Sequence, residues 1–337
     1  MSKIAVLVAA YNAERWLPQC LNSLLRQTLE DIEVICIDDR STDGTWQLLL
    51  DYEKRDPRIK LLQTTTNSGQ AVARNLGLEV ATAPFVCMVD ADDWLSPDAL
   101  SSALEIFNRY PDTDCVAFHL VKAFDDGART EDYGLPAVLA QGGSISGTMA
   151  VRLSLDGWQL HGLYVTRTEL HRRYPFDTSS RLYSDDNTTH IHYLHSREVR
   201  ACAGRYFYRQ HASLTKSFNT LHFEYVRANL ALRQTLIREG VDAELLSIYE
   251  GHRWVNFVSV YRTYLKHRSE LSAGERQQVI QNLVDILRSF SRNSPPRHNR
   301  CKPGYWLLPR PLFHLQQLLY MSYKSLFDRN YINTQLA

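Results

Sequence analysis

Over the first 120 residues, short apolar runs alternate with stretches of helical periodicity. Apolar runs at 4–8, 33–37, 59–62, 85–89 and 115–120 predict β-strands. Between the first two, Leu17, Leu21, Leu24 and Leu25 recur at the spacing of a helix face. Asp43-Gly44-Thr45 opens a second helix that reaches about Glu53, and Asp43 and Ser41 suit its cap. Ser68 is placed to cap a third helix with Val72, Ala73, Leu76 and Val80 on its inner face, and Pro97 begins a fourth. Strand–helix alternation implies parallel pairing with right-handed crossovers, hence an α/β, doubly wound, mostly parallel sheet.

Beyond residue 120 the pattern loosens. Asp126-Gly127 and Gly142-Gly143 mark turns, and Thr166-Arg167-Thr168-Glu169 reads as a capping box. From about 222 the chain reads as helical. Phe223, Val226 and Leu230 share one face, and Val279, Leu283, Ile286, Leu287 and Phe290 share another behind a Ser272–Glu275 box. The expected organisation is a catalytic unit over 1–218, split into 1–120 and 121–218, with a helical region over 219–337.

Composition narrows the class. The 337 residues are 44% hydrophobic and 22% charged, enough for a sizeable core. A net charge of +1 gives no reason to expect nucleic acid. Six scattered cysteines without a CxxC pair fit buried thiols in a reducing, cytoplasmic setting. No apolar run approaches the ~18 residues of a membrane span.

Candidate chemistry starts at Asp90-Ala91-Asp92-Asp93, which closes the apolar run 85–89. Three carboxylates in four positions repel one another unless a cation or a set of donors sits among them. At the C-terminal end of a buried strand they lie where open α/β sheets bind ligands, and hard divalent cations there share oxygen ligands with phosphates. The alternative is an acidic helix entrance through Trp94–Asp98. After the first strand, Ala9-Ala10-Tyr11-Asn12 replaces any G-x-G-x-x-G turn, which weakens a dehydrogenase reading. Asp38-Asp39 ends the second strand and offers an acceptor to a base N–H. Arg74, in Asn67-Ser68-Gly69-Gln70-Ala71-Val72-Ala73-Arg74-Asn75, lies on the first turns of a helix facing the same edge, where guanidinium and free amides suit phosphate.

In this order, Val-x-x-Tyr-Asn-Ala-Glu, Asp-Asp-x-Ser-Thr-Asp-Gly-Thr, Asn-Ser-Gly-x-x-x-Ala-Arg-Asn and Asp-x-Asp-Asp-Trp resemble the blocks of family 2 glycosyltransferases over residues 3–120. The resemblance implies a GT-A fold and an inverting transfer from a nucleotide diphosphate sugar, most often UDP-linked, with Mn²⁺ or Mg²⁺. It implies that Ala9, Tyr11 and Asp39 line the base and that Arg74 sits by base or phosphates. Asp90 with Ala91 would meet the ribose or sugar side, Asp92 would bind the metal, and Asp93 would support the site or open the following helix.

On the acceptor side, Asp185-Asp186 stands where the family places an acidic pair at a helix start, which makes Asp186 the expected general base. Two carboxylates beside a diphosphate push one pKa upward, which favours a base. Arg209, His211 and Ser213 resemble the segment that closes over the donor, with His211 a second candidate metal ligand. One departure stands out. Trp158-Gln159-Leu160-His161-Gly162-Leu163-Tyr164 lacks the lysine of Trp-x-Lys-Leu-Tyr, so His161 must supply that contact or it is absent. The acceptor is expected to be a glycan or lipid-linked saccharide of bacterial surface-polysaccharide or lipopolysaccharide assembly.

Two rivals remain: a sugar-nucleotide pyrophosphorylase, which would want a glycine-rich loop after the first strand, and a non-catalytic nucleotide- or glycan-binding protein. In the tail, six Lys/Arg between 297 and 329 interleave with aromatic and leucine residues against one acid, Asp328. Such a stripe packs on its own domain or a sister subunit, or lies peripherally on the cytoplasmic face of the inner membrane.

Overall fold

The computed structural model describes residues 2–124, 127–178, 180, 181, 183–211, 220–290, 314, 315 and 317–319. They fall into two compact units, 1–224 and 225–337. Ser213 and nearly all of the basic, aromatic stretch at 297–337 lie outside the described residues.

The first unit alternates β1 (Ile4–Ala10), α1 (Leu17–Leu25), β2 (Ile32–Asp38), α2 (Thr45–Arg55), β3 (Ile59–Gln63), α3 (Gln70–Val80) and β4 (Phe85–Met88). A two-residue strand, β5 (Trp94–Leu95), precedes α4 (Ala99–Arg109) and β6 (Thr113–Phe124). Then come β7 (Arg129–Asp132), α5 (Ala137–Ala140), β8 (Ile145–Ser146), α6 (Gly147–Leu155), β9 (Tyr164–Arg167), α7 (Thr168–Arg173), α8 (Ser184–Leu194) and β10 (Glu198–Arg209). The strands form one mixed sheet in the order β3-β2-β1-β4-β9-β6-β10-β5, with β7 beside β6 and β8 beside β10. β1 pairs parallel with β2 and β4, whereas β9 runs antiparallel between β4 and β6.

Both faces of the sheet are covered, which is why these strands read as unbroken apolar runs. Ile4, Val6 and Val8 face one core with Leu17, Leu21 and Leu24 of α1 and with α4. The alternate residues Ala5 and Leu7 face the other core with Ile35, Ile37, Ala73 and Leu78. The expected inner face of α3 holds at Ala73, which is buried, and at Leu76, which packs partly buried on the same core, but Val72 and Val80 are exposed, and Ala71, Arg74, Gly77 and Leu78 are buried beside Ala73. Gly77 explains the rotation, because a Cβ there would stand 2.7 Å from Ile37 Cδ1. Close approach at Gly77 turns Arg74 inward.

Two expected caps also differ. Ser68 does not cap α3; Gly69, at φ 92°, occupies the N-cap position. Residues 166–169 form no capping box, because Thr166 belongs to β9 and its hydroxyl donates to the Asp114 carbonyl at 3.0 Å.

The second unit contains α9 (Tyr225–Arg238), α10 (Ala243–His267) and α11 (Ala273–Ser289). Asp242 caps α10, and the Ser272–Glu275 capping box of α11 is present as expected. Buried Arg253 of α10 donates to Glu250 and to Ser289. Among the described residues, no helix is long and apolar enough to cross a membrane.

Candidate active site

The C-terminal ends of β1, β2 and β4 bring Tyr11, Asp39 and Asp90 to one rim, the position at which α/β sheets take ligands. Ala9 is half-buried and Tyr11 exposed. Asn12, at φ 50°, donates its N–H to Ser41 and accepts from the Thr42 N–H, which ties the first rim loop to the second. Asp43 accepts from the N–H and hydroxyl of Thr45, and these bonds hold its pKa below the usual carboxylate range against partial burial.

Asp39 ties down the loop that enters α3. Its Oδ1 accepts from the Thr64 hydroxyl (2.8 Å) and the Ser68 N–H (2.9 Å), and its Oδ2 accepts from the Gly69 N–H (2.7 Å). The carboxylate thus orders the loop before α3, and Oδ2 keeps one acceptor position.

Arg74 is buried, and one guanidinium nitrogen donates to Asp90 Oδ1. Burial opposes its charge, but the Asp90 and Asp185 carboxylates outweigh that and hold its pKa above the ordinary value.

Ligand oxygens of Asp90, Asp92 and Asp93 all lie within 4.8 Å of one another. Their environments differ. Asp93 is buried, accepting from the Tyr206 hydroxyl (2.9 Å) and the Arg209 N–H (2.8 Å). Burial, then Asp90 and Asp92, push its pKa well up. The same Tyr206 hydroxyl accepts from the Asp90 N–H at 3.1 Å, so one β10 side chain joins both ends of the acidic turn. Asp90 is also raised, by burial first and then by Asp92 and Asp185, with Arg74 working against the shift. Asp92 is half-buried, and its Oδ2 lies 2.7 Å from His211 Nε2.

Arg209 departs from expectation. It is buried, its Nε donates to the Asp92 carbonyl at 2.7 Å, and it donates to Gln19 as well. Its guanidinium lies 4.4 Å from the centroid of Trp16 and 4.7 Å from that of Trp94. A side chain so engaged braces the acidic turn rather than meeting a diphosphate. Trp16 also packs on His211, with centroids 5.1 Å apart.

The acidic pair opens α8 as expected. Asp185 is coupled electrostatically to Arg74 and Asp90, and it accepts from the Asp186 N–H at 3.1 Å. Burial, followed by Asp186 and Asp185, raises the Tyr183 pKa to about 12. Trp158 takes φ 56°, a left-handed conformation rare for a bulky residue, with its carbonyl accepting from the Tyr133 hydroxyl and its ring 5.2 Å from His190.

His161 corrects the sequence reading. Its Nε2 donates to the Phe118 carbonyl (3.0 Å) and its Nδ1 accepts from the Leu163 N–H (3.2 Å). Both nitrogens are used inside the fold, and burial lowers its pKa to about 4. It cannot stand in for the missing lysine.

Trp16, Gln19, Phe176 and Tyr206 carry no role in the sequence reading. Alternating buried positions along β10 were the available signal for Tyr206. Nothing local marks Trp16 or Gln19, whose partners lie far along the chain.

Residues 5–149 match the family described as Glycosyl transferase family 2. The chain is 35% identical over 129 residues to a protein described as a glycosyltransferase, EpsH, of Bacillus subtilis, covering 38% of this chain and 37% of that one. It is 38% identical over 101 residues to a poly(ribitol-phosphate) beta-glucosyltransferase of Bacillus spizizenii, covering 29% of this chain and 16% of that one. These matches span well under half of either relative. The solved structure of S. aureus TarS residues 1–349 in complex with UDP superimposes with a TM-score of 0.69 at 20% identity, covering 96% of this chain and 91% of that one. The fold is GT-A, as the sequence blocks implied.

Proposed function

Residues 5–149 belong to glycosyl transferase family 2, and from that premise we propose that the chain moves a sugar from a UDP-linked donor to a saccharide hydroxyl, with inversion. One observation carries the reading: the Asp90–Asp92–Asp93 group stands at the strand ends, hydrogen-bonded to Arg74 and on the same sheet rim as Asp39. Tyr11 and Ala9 form the wall for the base, and the remaining acceptor position of Asp39 suits a uracil N3–H. The UDP complex of TarS supports this choice of nucleotide.

The donor set fits a hard divalent cation, Mn²⁺ or Mg²⁺. Asp92 and His211 would hold it, with Asp90 alongside and Asp93 engaged by Tyr206 and Arg209. Such an ion supplies positive charge against the departing diphosphate. Arg74 orients Asp90. Asp186 removes the proton from the acceptor hydroxyl, and the coupling of Asp185 to Arg74 and Asp90 supports a donor-side role for Asp185. Trp158 lies on the acceptor side. The acceptor in this reading is a glycan or lipid-linked saccharide and the transfer cytoplasmic; the likeness to a poly(ribitol-phosphate) beta-glucosyltransferase supports a polymeric acceptor.

The test is UDP release from a panel of UDP-sugars with Mn²⁺, with the product anomer read by NMR. Slow release without acceptor and an inverted linkage with acceptor are expected. A retained anomer overturns inversion, and nucleotide binding without release under any condition favours a non-catalytic binding protein.

A further inference from the structure

We propose that Phe176-Asp177 is a positioning joint that sets the acceptor-side acids against the donor site, an inference that rests on the reading above. Phe176 is buried against Ala71 of α3 and Met88 of β4. The Arg74 guanidinium carbon lies 5.3 Å from its ring centroid, so the ring face receives a buried cation whose Nη1 has no hydrogen-bond partner among the described residues. The neighbouring Asn75 grips the same residue from both sides: its Nδ2 donates to the Phe176 carbonyl (3.0 Å) and its Oδ1 accepts the Phe176 N–H (2.9 Å). That is a strand-like pair of bonds made by a side chain.

The next residue grips the other half. The Asp177 N–H donates to the Thr188 hydroxyl at 3.1 Å, and Asp177 Oδ2 accepts from the Asn187 amide. Asn187 and Thr188 directly follow Asp185-Asp186 in the opening turns of α8. Two consecutive residues therefore hold α3 at Arg74-Asn75 and α8 at Asn187-Thr188. Arg74 fixes Asp90, so the donor carboxylate and the acidic pair share one reference point. His171 packs edge-to-face with Phe176, the ring centroids 4.6 Å apart. This gives the final residue of Ala-Arg-Asn a task that no direct contact with substrate requires.

Asn75→Asp keeps the acceptor for the Phe176 N–H and loses the donor to its carbonyl; Phe176→Leu removes the ring face; Phe176→Tyr keeps it. Asn75→Asp and Phe176→Leu should lower kcat for transfer about 100-fold, the scale of a small misplacement at a reacting centre. Calorimetric binding of UDP with Mn²⁺ should stay within about threefold of wild type, and Phe176→Tyr should restore most of kcat. Hydrogen exchange in the Asn75→Asp protein should quicken over 184–190 even without substrate. Unchanged kcat, a kcat loss matched by lost UDP affinity, or unaltered exchange over 184–190 would each overturn the joint. Absence of transfer by the wild type with every UDP-sugar defeats the functional reading instead, and the exchange experiment still judges the joint.

Discussion

Two arginines beside the acidic turn, Arg74 and Arg209, are buried and each is tied to it by a hydrogen bond. A buried cation is tolerated only with close compensation, and these have carboxylate, carbonyl and ring faces around them. Lysine cannot reproduce the Arg209 geometry, because it lacks the planar fork that stacks between Trp16 and Trp94 while donating to Asp92. Arg209→Lys should weaken Mn²⁺ binding by roughly 10- to 100-fold, the usual cost of disturbing groups behind a metal ligand; electron paramagnetic resonance titration of Mn²⁺ reads this directly. Buried histidines give a second prediction at this scale. His161 and His192 each donate through Nε2 to a carbonyl and accept at Nδ1, so both are neutral, with pKa values lowered by burial from 6.5 to about 4. Below 6.5 the unfolded chain takes up protons that the native state refuses. Their stabilising contribution is therefore complete above pH 6.5 and is lost as pH falls from there toward 4, by about 2 kcal/mol each at pH 5. Urea melts at pH 7 and pH 5 test it: equal stability at the two values would contradict the assignment.

Strand β10 shows how one element can govern a site built largely from distant stretches of the chain. It carries Tyr206 and Arg209, which bond Asp93, and its pairing with β6 shifts register between Ala201 and Arg205. Gly204 lies in that irregularity, and a Cβ there would come within 2.4 Å of the Ala99 Cα on α4. Gly204→Val should cost about 2–3 kcal/mol by overpacking, seen as a lower melting temperature, and should weaken UDP–Mn²⁺ binding as Tyr206 shifts. The helices and strands up to residue 120 were legible because both sheet faces are covered, so period and apolar run agree. The rotation of α3 was not, because it depends on Gly77 meeting Ile37 of another strand. Likewise the acidic turn and Asp39 announced themselves by residue type, whereas the inward turn of His161 rests on the Phe118 carbonyl, 43 positions away. Long-range partners of this kind leave no local trace in composition or spacing.

At the scale of the molecule, the proposed donor and acceptor duties fall on different stretches of the first unit. The family match ends at residue 149, before Asp186. Asp186→Asn should therefore separate the two duties, lowering transfer by about 10²- to 10⁴-fold while leaving UDP binding intact, as expected for loss of a general base. Near wild-type turnover on the true acceptor would remove Asp186 from that role. The central claim is that the rim of β1, β2 and β4 holds a nucleotide diphosphate together with a divalent cation at Asp92. Calorimetric titration of UDP into the protein, with and without Mn²⁺, tests it most directly. The account predicts binding strengthened by Mn²⁺ in the wild type and insensitive to Mn²⁺ in Asp92→Asn; UDP binding that ignores both the ion and the substitution would contradict it.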